Sequence, residues 1–207
     1  MTTASRSIID LYQRHAAGYD RLRGKTLMEA PWLDRFLALV PEHAAILDIG
    51  CGSGEPIARH LIDNHRSVTG IDSAPALIEL CRQRFPRAQW HVQDMRSLAL
   101  GRRFDGLIAW DSFFHLTPED QRAMFPVFAA HAAPGAALMF TSGPAHGEAI
   151  GSFEGEPLYH GSLAPEEYRA LLSAHGFAVA AHVAEDPGCG GHTIWLACRD
   201  QPLQDAP

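Results

Sequence analysis

The stretch from Ile46 to Gly54, which reads Ile-Leu-Asp-Ile-Gly-Cys-Gly-Ser-Gly, constrains the fold more than any other part of the sequence. Apolar residues run into three glycines at alternate positions. Glycine accepts a positive φ and lets a ligand approach main-chain N–H groups, because no Cβ intervenes. Glu55 and Pro56 follow, and proline suits the first turn of a helix. We therefore predict a buried strand, a ligand-binding loop and a helix, which together open a doubly wound α/β domain.

The glycine spacing distinguishes between two kinds of ligand. The dinucleotide fingerprint has glycine at its first, third and sixth positions, but the sixth position here is Glu55. The glycines alternate from Gly50 instead, and Asp48 lies two residues before it. This pattern resembles the first motif of the class I S-adenosylmethionine (SAM) dependent methyltransferases, in which the loop lies beside the methionine and ribose parts of SAM. The resemblance implies that Asp48, Gly50, Cys51 and Gly52 belong to the cofactor site.

Length and composition favour a single domain. With 207 residues and 46% hydrophobic content, the chain can bury one good core but is short for two. We expect residues 1–41 to form an N-terminal helical cap within that domain, residues 42–200 the SAM-binding methyltransferase domain, and residues 201–207 a polar tail.

The four cysteines form no C-x-x-C pair, which argues against a zinc finger or a disulfide framework.

Charge and hydropathy indicate the kind of partner. A net charge of −7 without a block of Lys or Arg disfavours nucleic acid. No apolar stretch approaches the roughly 20 residues of a membrane span, and no signal-peptide core begins the chain. We therefore expect a cytoplasmic monomer or homodimer with a small-molecule substrate, and with neither nucleic acid nor membrane as a partner.

Two helices are predicted before the first strand. One is amphipathic, covers residues 5–22 and ends near Gly18; the other runs from Ala30 to a stop at Pro41. In many class I methyltransferases such a leader folds over the cofactor, and the tyrosine of a Tyr-Asp step lies near the methionine group of SAM. Tyr19, which precedes Asp20, matches that step. The pattern supports equally well that Tyr19 only packs in the core.

An acidic residue follows the second predicted strand, residues 67–71. Asp72 lies 22 residues after Gly50, close to the offset at which a carboxylate accepts hydrogen bonds from ribose hydroxyls. The alternative is that Asp72 caps the next helix, which is predicted to begin at Ser73-Ala74-Pro75 and to end at Phe85. The glycine loop upstream favours ribose binding, and we include Ser73 in the same site.

A second acidic position follows the third predicted strand, residues 90–92. The resemblance implies that Asp94 accepts a hydrogen bond from the adenine amino group and that Met95 covers the adenine ring. The alternative is a solvated carboxylate at a strand end, which is the usual state of a lone Asp.

The fourth predicted strand, residues 107–110, ends where a doubly wound fold places its chemistry. Trp110 and Asp111 resemble the fourth motif of the family and would face SAM, since aromatic faces and carboxylates attract its sulfonium cation. His115 is the first candidate for a general base, although the chain has 12 histidines. Tyr159 and His160 are the next candidates.

The sequence argues against a metal site. Cys189, His192 and His160 carry ligand types that zinc prefers, but a turn containing three glycines explains the spacing of the first two. We therefore predict no metal site.

The C-terminal part is predicted to complete a mostly parallel, seven-stranded sheet. After a helix over residues 118–131, ended by Pro134-Gly135, we expect a fifth strand over 136–141 and a long loop over 142–162 that crosses the cofactor mouth. A helix over 165–175 and an antiparallel hairpin of strands 177–183 and 193–198 follow.

The function that these patterns predict is methyl transfer from SAM to a small molecule, with S-adenosylhomocysteine as product. A nicotinamide-dependent oxidoreductase is an alternative, which Glu55 and Asp48 disfavour. A SAM-binding sensor or non-catalytic subunit is a further alternative that nothing in the sequence excludes.

Overall fold

A computed structural model of the chain describes residue 5 and residues 7–201. Its strands in chain order are β1 (Ala45–Ile49), β2 (Ser67–Asp72), β3 (Gln89–Val92), β4 (Phe104–Ala109), β5 (Ala132–Ser142), β6 (Gly147–Phe153), β7 (Glu156–Ser162), β8 (Phe177–Asp186) and β9 (His192–Arg199). Seven of them form one sheet in the order β3-β2-β1-β4-β5-β9-β8. All neighbours in this sheet are parallel except β9, which is antiparallel to both β5 and β8. The predicted doubly wound, mostly parallel seven-stranded sheet is confirmed.

The helices in chain order are α1 (Ile8–Arg14), α2 (Ala16–Leu22), α3 (Ala30–Leu37), α4 (Ile57–Asp63), α5 (Pro75–Arg84), α6 (Pro118–His131) and α7 (Pro165–Ala174). Thr117 caps α6 by accepting the N–H of Asp120, as its sequence position predicts. In the described part of the chain, no helix has both the length and the apolar character needed to cross a membrane.

The sheet separates two hydrophobic cores. Side chains alternate across a strand, so Ile46 and Leu47 of β1 point to opposite faces. Ile46 packs with Trp32 and Phe36 on one face, and Leu47 packs with a group that includes Phe113 on the other. Because both faces are covered, β1 and β4 are apolar nearly throughout, which is why the sequence reveals them so clearly.

The prediction of one helix over residues 5–22 is wrong. Two helices meet at His15, and Gly18 lies inside the second helix, where it is buried. A Cβ at Gly18 would lie 2.4 Å from Oε1 of Glu154. Glycine at this position therefore allows a distant segment to approach the helix closely, and it does not end the helix.

The prediction of a loop over residues 142–162 is also wrong. Most of this segment is the antiparallel hairpin of β6 and β7, paired from Gly147 with Ser162 to Phe153 with Glu156. The two residues of its turn both have positive φ, which is the geometry of a tight two-residue hairpin turn. All of β6 except Phe153 is exposed, so its sequence lacks the apolar alternation that marks a half-buried strand.

The bounds of β4 and β5 also differ from prediction. Strand β4 begins earlier and ends at Ala109, so Trp110 lies just beyond it. Strand β5 begins at Ala132 and continues through Pro134 and Gly135, which were expected to separate helix from strand. The expected tail falls outside the described residues except for Gln201.

Candidate functional site

The glycine loop turns sharply at the carboxyl end of β1. Gly50, Gly52 and Gly54 all have positive φ, of 76°, 55° and 79°. The N–H of Gly50 donates to the carbonyl of Ile71, which joins the loop to the end of β2. A Cβ on Gly52 would lie 2.9 Å from the Tyr19 hydroxyl, so this glycine lets the tyrosine lie against the loop. The loop therefore has the positive-φ backbone conformation that glycine adopts more readily than other residues.

Asp72 supports both the loop and the next helix. Its Oδ2 accepts the N–H of Gly52 at 3.0 Å, and its Oδ1 accepts the N–H of Ala74 at 2.8 Å. Burial raises the pKa of Asp72 to about 6, although these backbone hydrogen bonds act in the opposite direction. Ribose binding by this carboxylate stays a prediction. The alternative was that Asp72 caps the next helix, and its contact with the N–H of Ala74 at the start of that helix is present.

One cavity gathers most of the predicted site residues at the carboxyl ends of β1 to β4. Helices α1 and α2 cover it with Ile8, Tyr12 and Tyr19. The predicted residues that line it are Tyr19, Gly50, Gly52, Asp72, Ser73, Asp94, Met95, Asp111 and His115. We call it the cofactor cavity.

Three other predicted residues line a smaller neighbouring cavity, which shares Tyr19 and Gly50 with the first. These residues are Asp48, Cys51 and Trp110. Burial raises the pKa of Asp48 to about 7; the charge of Asp72 adds to the shift and Arg23 opposes it. The structure therefore places Asp48 behind the glycine loop, outside the cofactor cavity.

Asp94 begins a short 3₁₀-helix, Met95–Ser97, and accepts the N–H of Arg96. The guanidinium of Arg96 also donates to both Asp94 oxygens. Burial favours the neutral acid, but these hydrogen bonds hold the pKa of Asp94 below its usual value. An adenine contact by Asp94 stays a prediction, and it would use a carboxylate already oriented by Arg96.

Asp111 has a left-handed backbone conformation, with φ of 49°, which is uncommon for a residue other than glycine. Its N–H donates to Oγ1 of Thr141, and its Oδ1 lies 2.9 Å from Nε2 of His192. Asp111 lines the cofactor cavity, and a contact between Asp111 and SAM stays a prediction.

His115 is buried between the N-terminal helices and β7. Its Nδ1 lies 2.8 Å from the carbonyl oxygen of Tyr159, so Nδ1 must carry the proton. Burial lowers the pKa of His115 to about 4, so the ring is neutral at pH 7 and Nε2 accepts the Tyr12 hydroxyl at 2.9 Å. The general-base role of His115 stays a prediction, and such a pKa makes the ring a weak base.

Comparison with known proteins agrees with this geometry. Residues 46–135 match the family described as a methyltransferase domain. This part of the chain is therefore similar to a methyltransferase domain. It is 36% identical over 96 residues to a dTDP-3-amino-3,6-dideoxy-alpha-D-glucopyranose N,N-dimethyltransferase of Streptomyces fradiae, a match that covers 45% of this chain and 37% of that protein.

Solved methyltransferase structures extend the likeness over nearly the whole domain. SAM-bound CalS10, an amino pentose methyltransferase from Micromonospora echinaspora, superposes with a TM-score of 0.69 at 24% identity and covers 90% of this chain and 96% of its own. The complex of DhpI with S-adenosylhomocysteine gives 0.75 at 20% identity, covering 96% and 98%. By contrast, the chain spans about two fifths of the length of the curated relatives it matches.

The domain has a further cavity that the sequence does not predict. It lies between the N-terminal helices and the β6–β7 hairpin, and we call it the outer cavity. Asp111 and His115 line both this and the cofactor cavity. The other residues that line the outer cavity are Tyr12, Tyr19, Leu22, Arg23, Phe114, Phe153, Leu158, His160 and His192.

The hairpin is joined to the N-terminal helices by charged groups. Glu156 contacts Nη2 of Arg14 at 2.5 Å and Nε2 of His15 at 2.6 Å. The rings of Tyr12 and Phe153 stack with centroids 5.8 Å apart. We call this set of contacts the clasp, and it covers the outer cavity.

Sequence reasoning missed Tyr12, Arg23 and His192 as site residues. Tyr12 belongs to the apolar face of the helix predicted over residues 5–22, and its partner His115 is 103 residues away in the chain. His192 was considered only as a metal ligand. Within residues 5 and 7–201, no group of three or more His, Cys, Asp or Glu side chains could hold a metal ion.

Proposed function

We propose that this protein transfers a methyl group from SAM to a small-molecule acceptor and releases S-adenosylhomocysteine. The observation that carries the proposal is the cofactor cavity, where the glycine loop and the acids after β2, β3 and β4 meet around one space. These residue types suit the parts of SAM: Asp72 the ribose hydroxyls, Asp94 and Met95 the adenine, and Asp111 the positive sulfur.

SAM, when bound, supplies a methyl group already activated by its sulfonium. The protein's task is then mainly to align the acceptor and to exclude water, since proximity and orientation carry most of the catalysis in such a displacement. Tyr12, Tyr19 and the clasp enclose the space where the two cavities meet. The outer cavity is accordingly the proposed acceptor site.

Proton removal is the second task where the acceptor arrives protonated. Nε2 of His115 is the proposed final proton acceptor, and the Tyr12 hydroxyl, which donates to it, is the proposed relay. Because the pKa of His115 is about 4, this pair suits an acceptor that binds largely deprotonated.

The relatives indicate which acceptors to try first. Two curated relatives are named as N,N-dimethyltransferases of dTDP-linked amino sugars, and two others as trans-aconitate 2-methyltransferases. The outer cavity is lined by aromatic rings and histidines, which fit a ring-shaped organic acceptor. The acceptor atom, the cytoplasmic location and the oligomeric state stay predictions.

The test is incubation with SAM labelled in its methyl group and a panel of amines, hydroxy compounds and carboxylates that includes dTDP-amino sugars and trans-aconitate. We expect label in one acceptor class together with stoichiometric S-adenosylhomocysteine. If SAM binds but no acceptor, including a metabolite extract, takes up label, the protein is a SAM-binding sensor or non-catalytic subunit instead.

A further inference from the structure

His192 occupies an unusual position at the start of β9. A 3₁₀-helix, Pro187–Cys189, and the left-handed Gly190 turn the chain so that the Cys189 carbonyl oxygen lies 2.7 Å from Nδ1 of His192. On its other side, Nε2 lies 2.9 Å from Oδ1 of Asp111. The ring stacks on Trp110 with centroids 5.5 Å apart. Both ring nitrogens therefore face oxygen atoms of the protein.

Neither of these oxygens can donate a proton. A carbonyl accepts only, and so does an ionised carboxylate. A neutral imidazole has a lone pair on one nitrogen, and that lone pair would repel whichever oxygen it faced. Protons on both nitrogens give the Cys189 carbonyl a donor and place a positive charge 2.9 Å from the Asp111 carboxylate, so the arrangement favours His192 as an imidazolium cation.

The surrounding charges act in the same direction. The Asp111 carboxylate raises the pKa of His192, and Glu29 adds to this, while burial opposes both. Arg23 also lines the outer cavity, but it is paired with the buried Glu29. Burial lowers the pKa values of the nearby His115 and His160, which leaves them neutral at pH 7.

Asp111 depends on this cation. Its Oδ1 is buried and accepts no hydrogen bond from the described residues, because the contact with Nε2 is close but too bent. Removing one partner of a buried ion pair leaves an uncompensated charge. The charge at the wall shared by the two cavities is therefore that of the pair, which is near zero while His192 is protonated.

We propose that His192 is a positioning residue that sets the charge felt by the methyl donor. This inference rests on the proposed function. The imidazolium compensates Asp111, so the positive sulfur of SAM is held less strongly than it would be by a lone carboxylate. Because methyl transfer removes that positive charge from sulfur, weaker ground-state stabilisation favours the reaction.

The first test reads the charge of His192 directly. In protein labelled with ¹⁵N-histidine, the His192 ring signals are identified by their absence in His192→Gln. We expect both ring nitrogens to show imidazolium shifts near pH 7, above the ordinary histidine pKa of 6.5. A neutral-ring signature at that pH would overturn the inference, whatever ligand the cavity binds.

The second test compares SAM, whose sulfur is cationic, with S-adenosylhomocysteine, whose sulfur is neutral. Calorimetry gives the ratio of their affinities. His192→Gln should shift this ratio toward SAM by roughly fivefold or more, as expected for one uncompensated charge. The wild-type ratio should move the same way as pH rises through the pKa of His192. His192→Lys, which keeps the cation, should stay near wild type, and the remote, exposed His43→Gln is the matched control.

An unchanged ratio in His192→Gln, or an equal loss of both affinities, would show that His192 only supports the fold, and the inference would be wrong. If neither ligand binds the wild-type protein, the proposed function fails and this inference fails with it. The two failures are distinguishable because only the first leaves wild-type binding intact.

Discussion

At the scale of single residues, Asp72 shows that a helix-start contact and the predicted ribose contact need not exclude each other. Its two oxygens hold the glycine loop and the start of α5. A carboxylate that is fixed in this way has lone pairs left, since each oxygen can accept more than one hydrogen bond. Holding the loop and binding a ribose are therefore compatible.

Asp72→Ala is expected to lower the affinity for S-adenosylhomocysteine at least about tenfold, because charge-assisted hydrogen bonds contribute about 1.5 to 3 kcal/mol. Calorimetry measures the affinity, and circular dichroism checks that the variant is folded. The exposed Asp63→Ala at the end of α4 is the matched control. Unchanged affinity in a folded Asp72→Ala protein would restrict Asp72 to its structural role.

The Tyr12–His115 pair leads to a second prediction at this scale. His115→Gln should lower turnover on the true acceptor by about 10²-fold, the lower end of the range for general-base catalysis, because the base is weak. Affinity for SAM should hardly change. Wild-type turnover in this variant would mean that His115 only shapes the cavity, and Tyr159 and His160 would then be tested.

The same histidine makes the fold sensitive to acid. Its pKa in the folded protein is about 4, against an ordinary value of 6.5. The unfolded chain therefore binds the proton first, and stability is lost as pH falls from about 6.5 toward 4, by about 3 kcal/mol in total. Urea unfolding at several pH values should show a smaller loss for His115→Gln. An equal pH dependence in both proteins would contradict the burial of a neutral ring.

At the scale of elements, the β6–β7 hairpin and helices α1 and α2 together cover the two cavities. The hairpin is not part of the main sheet, and the clasp joins it to the helices largely through exposed charges. Exposed ion pairs contribute little stability, so the clasp can open at small cost. A cover of this kind admits ligands and then excludes water.

We predict that residues 7–28 and 142–162 exchange amide hydrogens more slowly when S-adenosylhomocysteine and an acceptor are bound. Glu156→Gln, which weakens the contacts with Arg14 and His15, should exchange faster than wild type in the same segments. The first segment is counted from residue 7 because residues 1–4 and 6 lie outside the described part of the chain. Equal exchange with and without ligands would rule out the cover.

At the scale of the whole molecule, the parts that could be predicted are those with local signals. The strand before Gly50, the glycine loop and the acids that follow β2, β3 and β4 are short, continuous patterns, and the sheet brings the loop and these acids together. The β6–β7 hairpin was not predicted because its exposed strand β6 has no apolar face. Tyr12 and His192 were not predicted as site residues because their contact partners, His115 and Asp111, lie far away in the chain.

Ligand binding should also stabilise the whole domain. At a S-adenosylhomocysteine concentration about 100 times the Kd, binding adds about 2.7 kcal/mol. For a domain of this size we expect a rise in Tm of about 5 to 10 °C, measured by calorimetric melting. NADH at the same concentration serves as the control and should leave the Tm unchanged.

The most direct test of the central claim is a calorimetric titration of the wild-type protein with S-adenosylhomocysteine and, separately, with NADH. The claim is that the cavity at the carboxyl ends of β1, β2 and β4 binds SAM. It predicts saturable binding of one S-adenosylhomocysteine per chain, weakened by Asp72→Ala, and no binding of NADH. Absence of S-adenosylhomocysteine binding by folded protein, or tighter binding of NADH, would contradict it.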